Sequence, residues 1–262
     1  QIKQYFCLIK VMAYKFIQIN IFKGKYLNEL VNFLKDEAPD FVSKQEVSGW
    51  QDNLFNDKNI SLFDYLRKKL TLNGVFTKDY DLVDVPGYMG NAVLTKHKII
   101  DTKVITLREY MRIDIKTSKD EKFWPNGPRH LIDCTVENDG KLIHAMSVHG
   151  AWTAPPTDTE ETLRQANIIS KHLENLKESF ILGGDFNNVI QSRTIGVISD
   201  VSNNLLSDSG ILETTNSKVH KIAPRGYLID FIFTSRDIKL IKLTVPKITV
   251  SDHLPVIAEM YI

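Results

Sequence analysis

Six segments of the sequence end an apolar run on a side chain able to ligate a cation, move a proton or hold an anion. They are QINIFKG with Asn20, KQEVS with Glu46, AMSVHGAW with His149, LGGDFNN with Asp185 and Asn187, LIDFIF with Asp230, and VSDHLPV with Asp252 and His253. A hydrophobic strand delivers its terminal polar residue to a sheet edge, where ligands bind. Carboxylates and amides offer hard oxygens there, and imidazoles offer a proton that moves near neutral pH.

Taken one at a time, these residues have ordinary explanations. Asn20 after a β-run caps a turn, Glu46 at a strand end is a solvated charge, and Asp185 in GGDFNN makes an Asx-turn or a helix cap. Asp230 is harder to dismiss, because a carboxylate inside LIDFIF is costly to bury without a partner. His97, His130, His144, His172 and His220 read as packing or surface imidazoles. His253 does so less well, since Asp252 precedes it and Pro255 fixes the chain just after.

The elements that would carry these residues follow from an apolar period that switches repeatedly between 2 and 3.6, the signal of strands alternating with helices. Strands are expected over 16–22 and 41–47, with a helix between them on Tyr26, Leu27, Leu30, Val31 and Leu34 that Pro39 closes. A second helix is expected over 61–70. Short strands then fall at 91–95, 103–107, 130–136 and 142–149, with Asp139-Gly140 as a hairpin turn, so the middle of the chain reads as antiparallel. The longest helix is expected over 157–178, with Thr157 and Glu160 as its capping box and Leu163, Ala166, Ile169, Leu173 and Leu176 as its buried stripe. Further strands are expected at 180–183, 228–234, 238–243 and 256–261. The pattern is a single α+β domain over residues 1–262 with strands enough for two sheets, residues 1–11 forming an extension and Met12 opening the first strand segment.

Composition narrows the class. In 262 residues, 43% are hydrophobic and 33 basic side chains nearly balance 32 acidic ones, which argues against disorder and against coating nucleic acid by bulk charge. Two cysteines, Cys7 and Cys134, exclude a disulfide scaffold. No apolar run reaches the roughly 20 residues of a bilayer-spanning helix. The first stretch is interrupted by Lys3, Lys10 and Lys15 and reads as non-secretory, which with the few cysteines points to the cytoplasm.

Together the six segments, in this order and each on a strand end, resemble the endonuclease/exonuclease/phosphatase superfamily. The resemblance runs from Phe16 to Ile262. LGGDFNN and SDHLPV are its most specific pieces, QEV and the Asn of QINIFKG support it, and GNAVLTK is similar to the family's central strand. It implies a four-layer α/β/β/α sandwich of two packed, mainly antiparallel sheets, as in deoxyribonuclease I-like proteins. It also implies hydrolysis of phosphoesters by in-line attack of water with a divalent ion, magnesium with manganese as a substitute.

By that similarity Glu46 is the main metal ligand, with Asn20 beside it and Asp252 contributing. Asp185 orients or deprotonates water, Asn187 binds the phosphate or positions that water, and His253 lies against the phosphate with Asp230 on its other ring nitrogen. His149 is the second histidine flanking the phosphate, where abasic-site endonucleases carry Tyr and Asn. Phe22 stands where those enzymes have an acidic residue, which puts a second metal on that side in doubt. Arg129 resembles an arginine that some members direct at substrate phosphate.

Substrate choice in such a scaffold lives in the loops. Trp50, Trp124 and Trp152 follow or interrupt the site segments, and at least one, Trp152 foremost, is expected to rim the site and stack on a flat substrate group. Lysines at 23 and 25 and at 116, 119 and 122 make at most a modest funnel, because Asp114, Asp120 and Glu121 dilute the second cluster. The expected protein is a monomeric phosphodiesterase of nuclease-like or nucleic-acid-end-processing type, acting on a phosphate ester such as DNA or RNA. A phosphatase or phospholipase-like hydrolase of inositol phosphates or sphingomyelin, and a non-catalytic binding protein on the same scaffold, are the alternatives.

Overall fold

The β-run Ala13–Asn20 (β1) feeds the helix Leu27–Glu37 (α1), which returns the chain to Phe41–Gly49 (β2) parallel to β1. Helix α1 buries Leu30, Val31 and Leu34, and stops at Ala38, whose left-handed backbone (φ +46°) carries an N–H bonded to the Leu34 carbonyl immediately before Pro39. These elements belong to a computed structural model that describes residues 13–49, 61–221 and 223–262. The expected 1–11 extension, Met12, Cys7 and Trp50 lie outside the described residues.

Ser61 caps α2 (Leu62–Leu70) by accepting the Asp64 N–H. The strands β3 (Asn73–Leu82), β4 (Tyr88–Thr95), β5 (Lys98–Arg108) and β6 (Met111–Ile113), a one-turn helix α3 (Ile115–Ser118), and β7 (Arg129–Asn138) and β8 (Lys141–His149) follow. Then come α4 (Glu160–Glu174), β9 (Ser179–Asp185), α5 (Arg193–Ser199), β10 (Asn203–Asn204), β11 (Asp230–Thr234), β12 (Lys239–Thr244) and β13 (Val256–Tyr261).

Two sheets result, a seven-stranded one ordered β12-β13-β1-β2-β4-β3-β6 and a six-stranded one ordered β10-β11-β9-β8-β7-β5. Pairs are antiparallel except β1/β2, β3/β6 and β8/β9. One apolar core lies between the sheets and reaches α4 and α5 on the outer face of the second; another lies between the first sheet and α1 and α2. This is the expected four-layer sandwich.

Sequence patterning misplaces some elements. The long helix starts at Glu160, capped by Thr159 in a reciprocal box with Thr162, so Thr157 and Glu160 do not form the cap. Strand β3 escapes detection because Lys78, Asp79 and Asp81 break its apolar alternation. The Asp139-Gly140 hairpin is present, with Asn138 paired to Lys141 and both turn residues at positive φ.

Between the sheets runs a buried polar belt. Ser43 donates to the Gly183 carbonyl, Gln45 Nε2 to Ser147 Oγ, Ser147 Oγ to the Lys44 carbonyl, and Gln18 Nε2 to Asp230 Oδ1. Each contact satisfies a group that would otherwise be desolvated without compensation, and the belt fixes the sheets' relative register just beneath the candidate site. Gly183 is required there: a Cβ would sit 2.7 Å from Phe16 and 2.8 Å from Ser43. Lys44, on the opposite face of β2, is buried with no hydrogen-bond partner for its Nζ among the described residues, and burial pushes the amine down to about 7.

Candidate active site

Strand register assembles the site. Across the second sheet His149 pairs with Asp185, which pairs with Asp230, so three residues at the ends of β8, β9 and β11 stand in one row. In the first sheet Asn20, the last residue of β1, pairs with Gln45. A bulge between Lys44 and Val47 then puts Glu46 at φ +55°, a left-handed conformation costly for a non-glycine residue. Asn187, just past β9, is at φ +52°. Asp252 and His253 sit in the turn before β13, where His253 bridges to Thr215.

One carboxylate oxygen is the hub. Asp185 Oδ2 lies 3.1 Å from Asn20 Nδ2, 3.6 Å from His149 Nε2 and 3.7 Å from His253 Nε2, while its Oδ1 accepts the Asn187 N–H at 3.0 Å. Burial, with Asp230's charge adding to it, raises this carboxyl to about 7 against the opposing His253, Asn20 and Asn187. Asp230 Oδ2 takes His253 Nδ1 at 2.8 Å, and Gln18 and the Thr214 hydroxyl hold Asp230 in turn by its other oxygen and its backbone N–H.

The two histidines are driven apart. Burial alone would discharge His253, yet Asp230 and Asp185 raise it well above an ordinary imidazole. His149 is pushed well below by burial and by the charges of Arg129 and His253. The site thus holds one imidazolium and one neutral imidazole on either side of Asp185.

Glu46 and Asp252 line the same cleft. Burial raises Asp252 to about 6 against the opposing charge of His253, with Glu46's negative charge adding to the rise. Asn20 Nδ2 lies 3.4 Å from Glu46 Oε1, and Ser251 Oγ donates both to the Asn20 carbonyl and to Asp252 Oδ1. Glu46's charge raises the proton affinity of Asp252, and the two carboxylates form an oxygen-rich set that a hard cation would neutralise. Asp185, Asp230 and His253 also bring potential ligand atoms within 4.8 Å of one another, close enough to hold a metal ion.

Every sequence-predicted site residue therefore reaches one place: Asn20, Glu46, Arg129, His149, Trp152, Asp185, Asn187, Asp252 and His253 line the cleft, with Asp230 behind His253. Trp124 lines it too. Among the cleft residues that the sequence reading does not anticipate are His220 and Asp79. His220, read as a packing imidazole, lines the cleft with its ring 5.4 Å from that of His253. Asp79 enters from the overlooked strand β3; the alternation of period 2 from Val75 through Thr77 to Asp79 is its one signal. The packing reading holds for His97, His144 and His172, which lie outside the cleft. Lysines 116, 119 and 122 are exposed and solvated, whereas Lys23 lines the cleft.

Comparison with known proteins agrees with this fold. The catalytic domain of human Nocturnin, determined with a bound sulfate anion, is 19% identical with a TM-score of 0.67 over 95% of this chain and 94% of that one. The Bacteroides thetaiotaomicron mannosyl-6-phosphatase is 14% identical with a TM-score of 0.71 over 95% and 100%. D. rerio TDP2 complexed with single-strand DNA product is 16% identical with a TM-score of 0.68 over 95% and 99%. No curated protein matches the chain by sequence. The family model for the endonuclease/exonuclease/phosphatase family matches residues 17–253, and the chain belongs to that family.

Proposed function

We propose that the protein is a divalent-metal-dependent phosphodiesterase of nuclease-like or nucleic-acid-end-processing type. The observation that carries this reading is Asp185, a buried carboxylate with raised proton affinity set between a charged and a neutral histidine and beside the Glu46–Asp252 pair. A binding protein has no use for a desolvated base of this kind.

Glu46, Asn20 and Asp252 are the residues suited to hold the ion, because their oxygens are hard and mutually repulsive without it, whereas His253 Nδ1 is already engaged by Asp230. When bound, magnesium, or manganese in its place, supplies positive charge to the non-bridging oxygens of the phosphate. Asp185 orients a water and takes its proton as the oxygen bonds to phosphorus. The opposite P–O bond breaks, and its electron pair leaves with the departing oxygen. His253, kept protonated by Asp230, neutralises charge growing on the phosphoryl oxygens. Neutral His149 contributes a hydrogen bond without a second full charge. Asn187, whose Nδ2 donates to the Gly150 carbonyl, and Arg129, whose Nε donates to the same carbonyl at 2.8 Å, bind the phosphate from the other side.

The test is hydrolysis of bis-p-nitrophenyl phosphate beside mono-p-nitrophenyl phosphate, in magnesium and in EDTA. Magnesium-dependent cleavage of the diester above the monoester is expected. Preference for the monoester would favour a phosphatase, in keeping with the likeness to a mannosyl-6-phosphatase. Cleavage of neither, with Asp185→Asn binding phosphoesters as the wild type does, would sink the enzyme reading.

A further inference from the structure

Hydrolysis accounts for the half of the cleft around Asp185 and His253, with Arg129 at its border, and leaves the half beyond Arg129 unused. Asp79 is buried there with Oδ1 3.0 Å from His130 Nδ1, and burial raises its carboxyl in spite of His130 and of Arg129's charge. Arg129 is buried too, its fork fixed by the Gly150 and Pro128 carbonyls, and its charge reaches both Asp79 and His149. Arg129 lines the same cleft as Asp79 and His149.

No ion pair joins Arg129 to Asp79 among the described residues: the carboxylate's close partner is His130, and the guanidinium's partners are carbonyls. A buried acceptor and a buried cationic donor therefore face one cleft without satisfying each other. Around them the lining is apolar, with Met89, Phe123 and the two indoles of Trp124 and Trp152. The indoles meet edge to face, centroids 5.1 Å apart at 88°. Trp124 spends its N–H on the Ser118 carbonyl, and the Ser118 hydroxyl bonds to the Ile115 carbonyl, so these two groups are already satisfied and the Trp124 face presents carbon surface.

We propose, building on the phosphodiesterase reading, that this half of the cleft is a nucleobase subsite next to the cleaved phosphate. The base lies against the Trp124–Trp152 wall, and its Watson–Crick edge donates an N–H to Asp79 and accepts from Arg129. Each base carries on that edge a donor beside an acceptor and carries none on its faces. A sugar ring spreads hydroxyls around its rim, and this wall would strand most of them without partners.

Tryptophan fluorescence titration with thymidine 5′-monophosphate, ribose 5-phosphate and mannose 6-phosphate reads the subsite without turnover. The nucleotide is expected to bind at least about tenfold tighter than ribose 5-phosphate, the scale of one stacked base. Asp79→Asn and, separately, Trp152→Leu should each remove most of that preference, with circular dichroism melting confirming the fold. In turnover, the ratio of kcat/KM for p-nitrophenyl thymidine 5′-phosphate to that for bis-p-nitrophenyl phosphate should fall about tenfold in Asp79→Asn, the scale of one hydrogen bond to the base edge. Equal binding of nucleotide and ribose 5-phosphate, tighter binding of mannose 6-phosphate, or a preference that survives both variants would overturn the subsite. Absence of hydrolysis with the nucleotide preference intact would instead overturn the phosphodiesterase reading and leave the subsite standing.

Discussion

Two buried aspartate–histidine clusters in this protein are built from the same parts and do different work. In the middle of β7 in the second sheet, Asp133 accepts from His144 Nδ1 at 2.8 Å and from His172 Nε2 at 2.9 Å, tying α4 to the sheet. At the start of β11 Asp230 accepts from His253 at 2.8 Å. Asp133 is held below its ordinary range, because two histidines outweigh the cost of its burial, and His144 is raised in return. That cluster is balanced within itself. The Asp230–His253 pair has a third member, Asp185, whose own carboxyl is raised, leaving negative charge in excess beside a cleft. Under the proposed function, what would set the reactive pair apart from the structural one is the uncompensated neighbour Asp185 and its place in the cleft lining, not the pair.

Substitution at the two clusters should separate these roles. Asp185→Asn, which removes the base and keeps the shape, should lower kcat by about 10³-fold or more on any active substrate, with melting temperature equal or higher. A melting temperature that falls while activity survives would make Asp185 structural. Asp230→Asn should lower kcat by about 10²-fold and also move the alkaline limb of the pH–rate profile downwards, as His253 loses the charge that keeps it protonated. Loss of rate with an unmoved profile would break the assignment of Asp230 as the positioning residue.

At the structural cluster the effect should fall on stability instead. Asp133→Asn should cost about 2–3 kcal/mol in denaturant unfolding, the scale of charge-assisted hydrogen bonds, and leave kcat/KM near the wild-type value at a temperature where both are folded. Its pH dependence has a defined window. The depressed Asp133 carboxyl contributes fully above its ordinary value of 3.8, and that contribution disappears as pH falls through the lower folded value. The raised His144 contributes fully below its ordinary 6.5, and that is lost as pH rises through the higher folded value. The stability gap between wild type and Asp133→Asn should therefore be widest between these two values and narrow on either side.

The smallest expected effect lies outside both clusters. Lys44 is buried without a partner among the described residues, so Lys44→Met should stabilise the fold by about 2 kcal/mol at pH 7. Because its folded value of about 7 lies below the unfolded 10.5, the wild type should close that gap as pH rises between them.

Much of the architecture is legible in the chain because strands and helices bury faces of different period. The hairpin at Asp139-Gly140 and the helix stop before Pro39 are readable from turn and cap chemistry alone. Strand β3 is not, because Lys78, Asp79 and Asp81 break the alternation that Val75 and Thr77 begin, and Asp79 is hidden with it. His220 escapes notice because its segment has neither strand nor helix period, and nothing local says that the chain folds back over His253.

By itself the sequence determined the parts: which residues end apolar runs, and that a carboxylate inside LIDFIF requires a partner, since desolvation is a property of the local chain. The tertiary structure decided the partners. Pairing of His149 with Asp185 and of Asp185 with Asp230, the bulge that turns Glu46 into the cleft, and the choice of His253 over the other histidines as Asp230's partner are set by sheet register and by the packing of one sheet on the other. Such long-range contacts join residues as far apart as Asn20 and Ser251, 231 positions, and local spacing carries no trace of them.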